Sequence, residues 1–234
     1  MSNEIRVMTS GAFTAAHLEL IPQVERLTGK KVVTVTTSIG TGETSIANRL
    51  KRGEVADVVI VADGVQRQFI ADGLTLQEGG KTVASSMIGI AVRAGAPKPD
   101  ISTAEAFKRT LLAAKSVTYS ASVSGQYLTT ELYQRLGIAG EMLPKSRLIG
   151  GGERTGAVVA RGEADLCCQQ ISEMLPVAGI AHITLLPPEL QKVSYFMAAV
   201  GANSPDKETA RKVIDFLASA EAAAAIRKSG LEPA

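Results

Sequence analysis

Residues 55–61, Val-Ala-Asp-Val-Val-Ile-Val, form an almost unbroken apolar stretch early in the chain. A run of this kind predicts a β-strand that is buried on both faces of a sheet. Amphipathic stretches at 43–52 and 64–71 flank it, and two other β-prone runs, 5–8 and 31–37, precede it. Strand and helix therefore alternate from the start of the chain, which predicts parallel strands joined by right-handed crossovers.

The same alternation continues to the end of the chain. A helix is predicted over 13–28, where Pro22 allows a kink or a late start. Further strands are predicted at 87–93, 116–120, 148–149, 164–168 and 195–200, and further helices at 103–114, 126–136, 155–161, 205–219 and 220–228. The predicted fold class is α/β.

The composition excludes several classes of protein. The chain has 234 residues, of which 45% are hydrophobic and 21% charged, as in an ordinary globular protein. Its net charge is +2 and it contains no Trp, so it lacks the basic surface and the stacking platform of a nucleic-acid binder. The first residues do not contain the apolar run of a signal peptide or a transmembrane helix. We therefore expect neither a nucleic-acid partner nor an integral membrane protein.

The cysteines and histidines are too few for a structural metal site. Cys167 and Cys168 are adjacent, a spacing that rarely allows a disulfide, and His17 and His182 are the only histidines. Buried cysteines usually behave as small hydrophobic residues, and we expect this of at least one of the two. No metal and no cofactor are expected.

Three polar loops follow predicted strands and have the same character. Each combines hydroxyl side chains, a small residue and the free N–H groups of a starting helix, which together suit an oxyanion or a carboxylate. Helix capping is the alternative explanation for any one of these loops. The loops span 9–11, 38–41 and 120–125, and the candidate ligand-binding residues in them are Ser10, Gly11, Ser38, Ile39 and Ser122.

A glycine-rich segment, residues 150–154, ends in Arg154. It lacks the Lys-Ser/Thr of a phosphate-binding loop and does not match a dinucleotide fingerprint. The segment either brings Arg154 to an anion or is a flexible turn with a solvated charge. The serines do not lie in a Gly-x-Ser-x-Gly elbow, so nucleophilic catalysis is not favoured.

Five segments resemble the molybdate-type solute-binding proteins of ABC importers, in the same order along the whole chain. They are Ser-Gly-Ala-Phe at 10–13, Thr-Ser-Ile-Gly-Thr at 37–41, Gly-Glu-Val-Ala-Asp-Val-Val-Ile at 53–60, Val-Ala-Arg-Gly-Glu-Ala-Asp at 159–165 and Lys-Ser-Gly-Leu-Glu-Pro-Ala at 228–234. The resemblance implies a two-lobed, type II periplasmic-binding-protein fold, with a mainly parallel sheet flanked by helices in each lobe and a hinge between them. Residues 1–82 and 193–234 would form lobe 1, and residues 83–192 lobe 2.

The resemblance also implies a function. The chain would bind a small oxyanion or carboxylate in an interlobe cleft, as a monomeric solute-binding protein that works with an ABC permease. Ser10 and Ser38 match the family's first-loop and second-loop serines, and the second-lobe contact falls at 120–124. The protein would be periplasmic if a signal peptide had preceded the chain, and cytoplasmic if the chain is complete as given.

Two departures from the family pattern favour a different ligand. Molybdate binders carry a tyrosine where this chain has Cys-Cys-Gln-Gln at 167–170, and their first loop is richer in alanine. Arg154 would suit a carboxylate better than molybdate. The alternative function is that of an isomerase, because aconitate isomerase resembles the same family and shifts a proton on a small polycarboxylate. Catalytic residues are not identified by the sequence; His17, Tyr119 and Asp63 are candidates for the base.

Overall fold

The computed structural model describes residues 3–35, 42–150 and 152–234. The strands, numbered in chain order, are β1 (Glu4–Thr9), β2 (Lys31–Val35), β3 (Val58–Ala62), β4 (Lys81–Ser86), β5 (Ile88–Arg93), β6 (Val117–Ser120), β7 (Ser146–Ile149), β8 (Leu166–Gln170), β9 (Ile180–Leu185), β10 (Ser194–Val200) and β11 (Glu232–Pro233).

Helices connect most of these strands. They are α1 (Gly11–Thr28), α2 (Ile46–Lys51), α3 (Asp63–Ala71), α4 (Ala104–Ala113), α5 (Val123–Gln126), α6 (Tyr133–Arg135), α7 (Ala139–Met142), α8 (Thr155–Ala160), α9 (Ile171–Met174), α10 (Lys207–Leu217) and α11 (Ala223–Lys228). A π-helical segment, Tyr127–Leu132, joins α5 to α6. The α/β fold class is confirmed.

The chain forms two compact units. The first contains Met1–Ser86 and Ser194–Ala234, and the second is the continuous segment Met87–Val193. Each unit has its own sheet with helices packed on it. The chain therefore leaves the first unit after β4 and re-enters it as β10.

The sheet of the first unit has six strands in the order β11-β4-β10-β3-β1-β2. β1 is parallel to β2 and β3, whereas β10 is antiparallel to β3 and β4. All five residues of β3 are buried, as the apolar run at 55–61 predicted. The sheet is mixed rather than mainly parallel, because the strands by which the chain leaves and re-enters the unit pair in the antiparallel sense.

The sheet of the second unit has five strands in the order β7-β6-β8-β5-β9. β6 is parallel to both of its neighbours, β7 and β8, whereas β5 is antiparallel to β8 and β9. On this sheet, Phe107 and Leu111 of α4 pack with Leu128, Leu132 and Tyr133 in one apolar core. Residues of β6 and β8 belong to the same core, which fixes two of the three parallel strands on which the candidate site is built.

Helix α1 begins at Gly11 and runs without a break through Pro22. Its buried residues Phe13, Ala16, Leu20 and Val24 recur at helical spacing and cover one face of the helix. The late start that Pro22 allowed does not occur. The first turn of α1 therefore lies directly after the last residue of β1.

Candidate functional site

Three adjacent parallel strands of the second unit end at one edge of its sheet. β6 pairs with β7, with Ser120 opposite Ile149, and with β8, with Thr118 opposite Cys167. Because parallel strands finish on the same side, the segments after β6, β7 and β8 share that side of the sheet. We call the residues there the polar edge. Its members are Ser120, Ser122, Ser124, Arg154, Gln169, Ser172 and Glu173.

Four side chains of the polar edge form a closed ring of hydrogen bonds. Gln169 Nε2 donates to Ser120 Oγ over 2.7 Å, and Ser120 Oγ donates to Ser122 Oγ over 2.8 Å. Ser124 Oγ donates to Gln169 Oε1 and lies 2.9 Å from Ser122 Oγ. A serine hydroxyl has one proton, and Ser124 donates its proton to the amide oxygen of Gln169. Ser122 is therefore the donor in the bond between the two serines. The hydrogen bonds therefore run in one direction around the ring.

Ser122 is the hydroxyl of the ring that can turn to a ligand. Ser120 and Ser124 are buried, whereas Ser122 is partly exposed. The proton of Ser122 also has two acceptors, since Gln169 Oε1 lies 3.3 Å away in addition to Ser124 Oγ. Redirecting this proton leaves the other three members of the ring bonded. The structure thus gives a physical basis for Ser122 as a candidate ligand donor.

Arg154 lies between β7 and α8 and is exposed. The acidic residue next to it in the sequence, Glu153, is engaged elsewhere, because Arg161 binds Glu153 and Glu163 at 2.6 Å each. The ion pairs found among the described residues do not include Arg154. Its guanidinium is therefore available to an anion, and its charge also lowers the pKa of Glu173.

Ser172 and Glu173 lie in the single turn of α9, which begins at Ile171 immediately after β8. Ser172 Oγ and Glu173 Oε2 are both buried, and neither has a hydrogen-bond partner among the described residues. Burial raises the pKa of Glu173 to about 7, and the attraction of Arg154 opposes this rise only in part. The carboxyl therefore exchanges a proton near neutral pH. Sequence reasoning missed both residues, although a polar run, Gln-Gln-Ile-Ser-Glu, directly after an apolar strand was an available signal.

The first unit has candidate residues of its own, Ser10 between β1 and α1 and Gly11 at the first position of α1. The Ser10 hydroxyl makes no capping bond to the helix, and its buried Oγ has no partner in the described part of the chain. A buried hydroxyl without a hydrogen-bond partner suits a ligand that accepts a hydrogen bond. Ser10 and Gly11 remain candidate ligand-binding residues. Ser38 and Ile39 lie outside the described residues.

The structure does not favour a catalytic base at any of the three residues that the sequence suggested for this role. His17 Nε2 lies 2.8 Å from Thr34 Oγ1 on β2, and burial lowers the pKa of His17 to about 4. Asp63 is bonded to the backbone of Gly64 over 2.8 Å and to Arg67 over 2.9 Å.

Tyr119, the third residue considered, is half-buried and packs against the apolar core of the second unit. His17 is a neutral histidine held against a neighbouring strand, and Asp63 already has its charge paired. Each of the three therefore has a structural role in its surroundings.

Cys167 and Cys168 are buried, free thiols on β8. Burial raises the pKa of the Cys167 thiol to about 12 and that of Cys168 further still. Such thiols are poor nucleophiles at neutral pH. Within the described ranges there is no group of three His, Cys, Asp or Glu side chains able to hold a metal ion. No helix in the same ranges is long and apolar enough to cross a membrane.

A family model for bacterial extracellular solute-binding proteins matches residues 5–232. The chain belongs to this solute-binding family. A protein from Pseudomonas sp named aconitate isomerase is 41% identical over 230 residues, which cover 98% of this chain and 87% of that protein.

Solved structures of solute-binding proteins share the fold. The periplasmic molybdate-binding protein of Azotobacter vinelandii superposes with a TM-score of 0.78 at 17% identity, over 97% of this chain and 98% of that one. A protein described as the tungstate ABC transporter from Geobacter sulfurreducens gives 0.69 at 20% identity, over 96% and 98%. The two-lobed fold class expected from the sequence is confirmed by these likenesses.

Proposed function

We propose that this member of the solute-binding family is an isomerase that interconverts cis- and trans-aconitate by moving a proton. The observation that carries the proposal is the polar edge. There the exposed Arg154 follows β7, and Ser122, whose hydroxyl can be redirected to a ligand, follows β6. The aconitate isomerase from Pseudomonas sp, 41% identical over almost the whole of this chain, supports the choice of substrate. The proposal assigns Arg154 and Ser122 to binding the substrate.

The reaction needs two kinds of group. Interconverting the isomers of an alkene requires temporary loss of its double bond, and removing a proton from the neighbouring methylene carbon achieves this. The resulting negative charge spreads over the three-carbon allyl system and into an attached carboxylate. Donors aimed at that carboxylate stabilise the charge as it develops. A second group must accept the proton and return it.

Arg154 and Ser122 fit the donor role. A guanidinium binds a carboxylate through two parallel N–H bonds, which fixes the orientation of the carboxylate as well as neutralising its charge. Ser122 adds a neutral donor whose hydroxyl can turn without breaking the rest of its ring.

The second candidate function is that of a carrier for a small oxyanion or carboxylate. Hydroxyl donors without a matching base are sufficient for such a protein, and the Ser122 hydroxyl favours it. A carrier of this family would work in the periplasm with an ABC permease, and we expect it to be a monomer. The carrier and the isomerase differ in one measurable property, which is turnover.

An assay of aconitate interconversion tests the proposal. The purified protein is incubated with trans-aconitate and separately with cis-aconitate, and the two isomers are quantified by ultraviolet absorbance and by proton NMR. We expect each isomer to be converted into the other until one equilibrium ratio is reached. Absence of conversion from both directions, in a folded protein, contradicts the isomerase.

A pair of arginine variants places the activity at the polar edge. Arg154→Ala removes a charge-assisted hydrogen bond and should lower kcat/KM by about tenfold to a hundredfold. Arg109→Ala is the matched control, because Arg109 is an exposed arginine of the same unit that lies on α4. Equal effects of the two substitutions would remove Arg154 from the site.

A further inference from the structure

Glu173 is held at the end of β8 by the packing of its short helix. Helix α9 lies against β5, β8 and β9, so its first turn is fixed beside the sheet. Within that turn Glu173 Oε2 is buried, as is the hydroxyl of the preceding residue, Ser172. Neither oxygen has a hydrogen-bond partner in the described part of the chain. Two adjacent buried oxygens left without partners require an explanation.

Two other carboxylates that lie within the fold, Asp57 and Asp206, are satisfied by the protein itself. Asp57 accepts the backbone N–H of Arg6 over 2.7 Å and the hydroxyl of Ser204 over 2.5 Å. Asp206 binds Lys30 and also caps α10. The fold thus supplies partners where a carboxylate has a structural role. Glu173 Oε2 differs from these groups, which is why a structural role does not account for it.

Binding of an anionic substrate does not account for Glu173 either. A carboxylate repels the carboxylates of aconitate, whereas the neighbouring Arg154 attracts them. The two residues are close enough for the arginine charge to act on the glutamate. A negatively charged group at a site for anions lowers affinity unless it takes part in the chemistry. A carboxyl whose pKa is about 7 changes its protonation state easily at neutral pH.

We propose that Glu173 is the catalytic residue that removes the proton from aconitate and returns it. This inference rests on the proposed isomerase function and names the group that carries out its central step. Ser172 lies next to it, and we assign to its free hydroxyl a hydrogen bond to the substrate.

The proton transfer balances without any other reactant. The Glu173 carboxylate takes a proton from the methylene carbon, and the electron pair of that C–H bond forms a new double bond to the central carbon. The π pair of the former double bond moves to its far carbon, which receives the proton from the Glu173 carboxylic acid. Glu173 ends as the carboxylate, and no oxidant or reductant is needed.

Glu173→Gln tests this role, because it keeps the size of the side chain and removes the base. We expect interconversion to fall about a hundredfold to ten-thousandfold, the range in which general acid–base groups contribute. Binding of trans-aconitate, measured by calorimetry, should be unchanged or tighter, because a negative charge facing the anion has been removed. Exchange of the methylene hydrogens of aconitate in D₂O, followed by NMR, should be lost together with the turnover.

Two further variants make the result decisive. Glu141→Gln is the matched control, since Glu141 is an exposed glutamate on α7 in the same unit, and it should retain wild-type turnover and binding. Glu173→Asp keeps the carboxylate but withdraws it by one methylene group, so we expect reduced turnover with binding retained. If Glu173→Gln does not fold, the aspartate variant provides the measurement.

The outcomes separate this inference from the proposed function. A wild-type protein that does not interconvert aconitate overturns both. Wild-type turnover together with an equally active Glu173→Gln or Glu173→Asp overturns the role of Glu173 and leaves the isomerase standing. A folded Glu173→Gln that has lost both binding and turnover also overturns it, because Glu173 would then be a binding residue.

Discussion

Gln169 is the residue around which the serine hydroxyls of the polar edge are arranged. Its Oε1 accepts from Ser124 and from the backbone N–H of Gln170 over 3.1 Å, which sets the orientation of the amide. The Nε2 group must then donate to Ser120, and the direction of every other bond in the ring follows. Ser122 is left with the one proton that has two acceptors. A single amide thereby decides which hydroxyl can serve a ligand.

Glu173 and His17 are buried titratable groups with opposite effects on stability. The folded-state pKa of Glu173 lies above its usual value of 4.5, so the folded protein binds this proton more strongly than the unfolded chain does. The stability from Glu173 is full below about pH 4.5 and is lost as the pH rises through about 7. His17 has its pKa lowered from 6.5 to about 4, so its stabilising effect is lost as the pH falls.

A comparison of Glu173→Gln with the wild type isolates the contribution of the carboxyl. The variant has no group to ionise at this position. Its free energy of unfolding should therefore increase relative to that of the wild type as the pH rises from 5 to 8, by up to about 3 kcal/mol. Urea unfolding at a series of pH values measures the difference, and the His17 contribution cancels because both proteins contain it. Glu141→Gln should show a constant difference. Parallel curves for Glu173→Gln would mean that the carboxyl is well solvated.

At the scale of elements, the connection from β6 to α5 depends on a close approach of backbone. A Cβ on Gly125 would lie 1.8 Å from the carbonyl oxygen of Ser120 and 2.9 Å from the ring of Tyr119. The first turn of the helix therefore fits against the end of its strand only with glycine at this position. The approach also places Ser122 and Ser124 within reach of Gln169.

Two glycine substitutions in the second unit test this packing. Gly125→Ala forces the helix away from the strand and should lower the free energy of unfolding by about 1–3 kcal/mol. It should also weaken ligand binding, because the serine ring loses its geometry. Gly140→Ala is the control on α7, where an added Cβ meets nothing within 4 Å, and it should be neutral or slightly stabilising. Denaturant unfolding compares the two variants, and equal losses would contradict the close approach.

For the whole molecule, a ligand that binds the folded state raises the free energy of unfolding and the melting temperature. The family match spans residues 5–232, so both units belong to the module that the family shares. A ligand that binds the folded protein and not the unfolded chain stabilises it by mass action alone. The size of the effect depends on affinity, whichever units the ligand touches.

A thermal-shift panel distinguishes the two candidate functions by their ligands. Cis- and trans-aconitate at a hundred times their dissociation constants should each stabilise the protein by about 2.7 kcal/mol. Molybdate, tungstate, sulfate and phosphate should give no shift, because a compact oxyanion does not reach the separate donors that the three carboxylates of aconitate would engage. Shifts with molybdate and tungstate alone would instead identify an oxyanion carrier.

Local sequence patterns predicted the strands and helices whose own residues carry a clear apolar run or a helical spacing of apolar residues. The apolar run at 55–61 predicted β3, and the helical spacing of apolar residues predicted α1 and α10. By contrast β4, with the sequence Lys-Thr-Val-Ala-Ser-Ser, carries little strand signal, and the sequence patterns above did not predict a strand there. It is a strand because β10 and β11 pair with it, and both lie more than a hundred residues further along the chain.

The sequence by itself determined the α/β class, the family resemblance and the positions of Ser10, Ser122 and Arg154 at strand ends, because strand ends and helix starts are local features. Only the tertiary structure decided that Gln169 orders the serines and that Glu173 Oε2 is buried without a hydrogen-bond partner in the described part of the chain. The first depends on the parallel pairing of β6 with β8, which brings together residues 49 positions apart. The second depends on what surrounds a side chain in space. Burial and the absence of a hydrogen-bond partner are properties of packing, and no single stretch of sequence carries them.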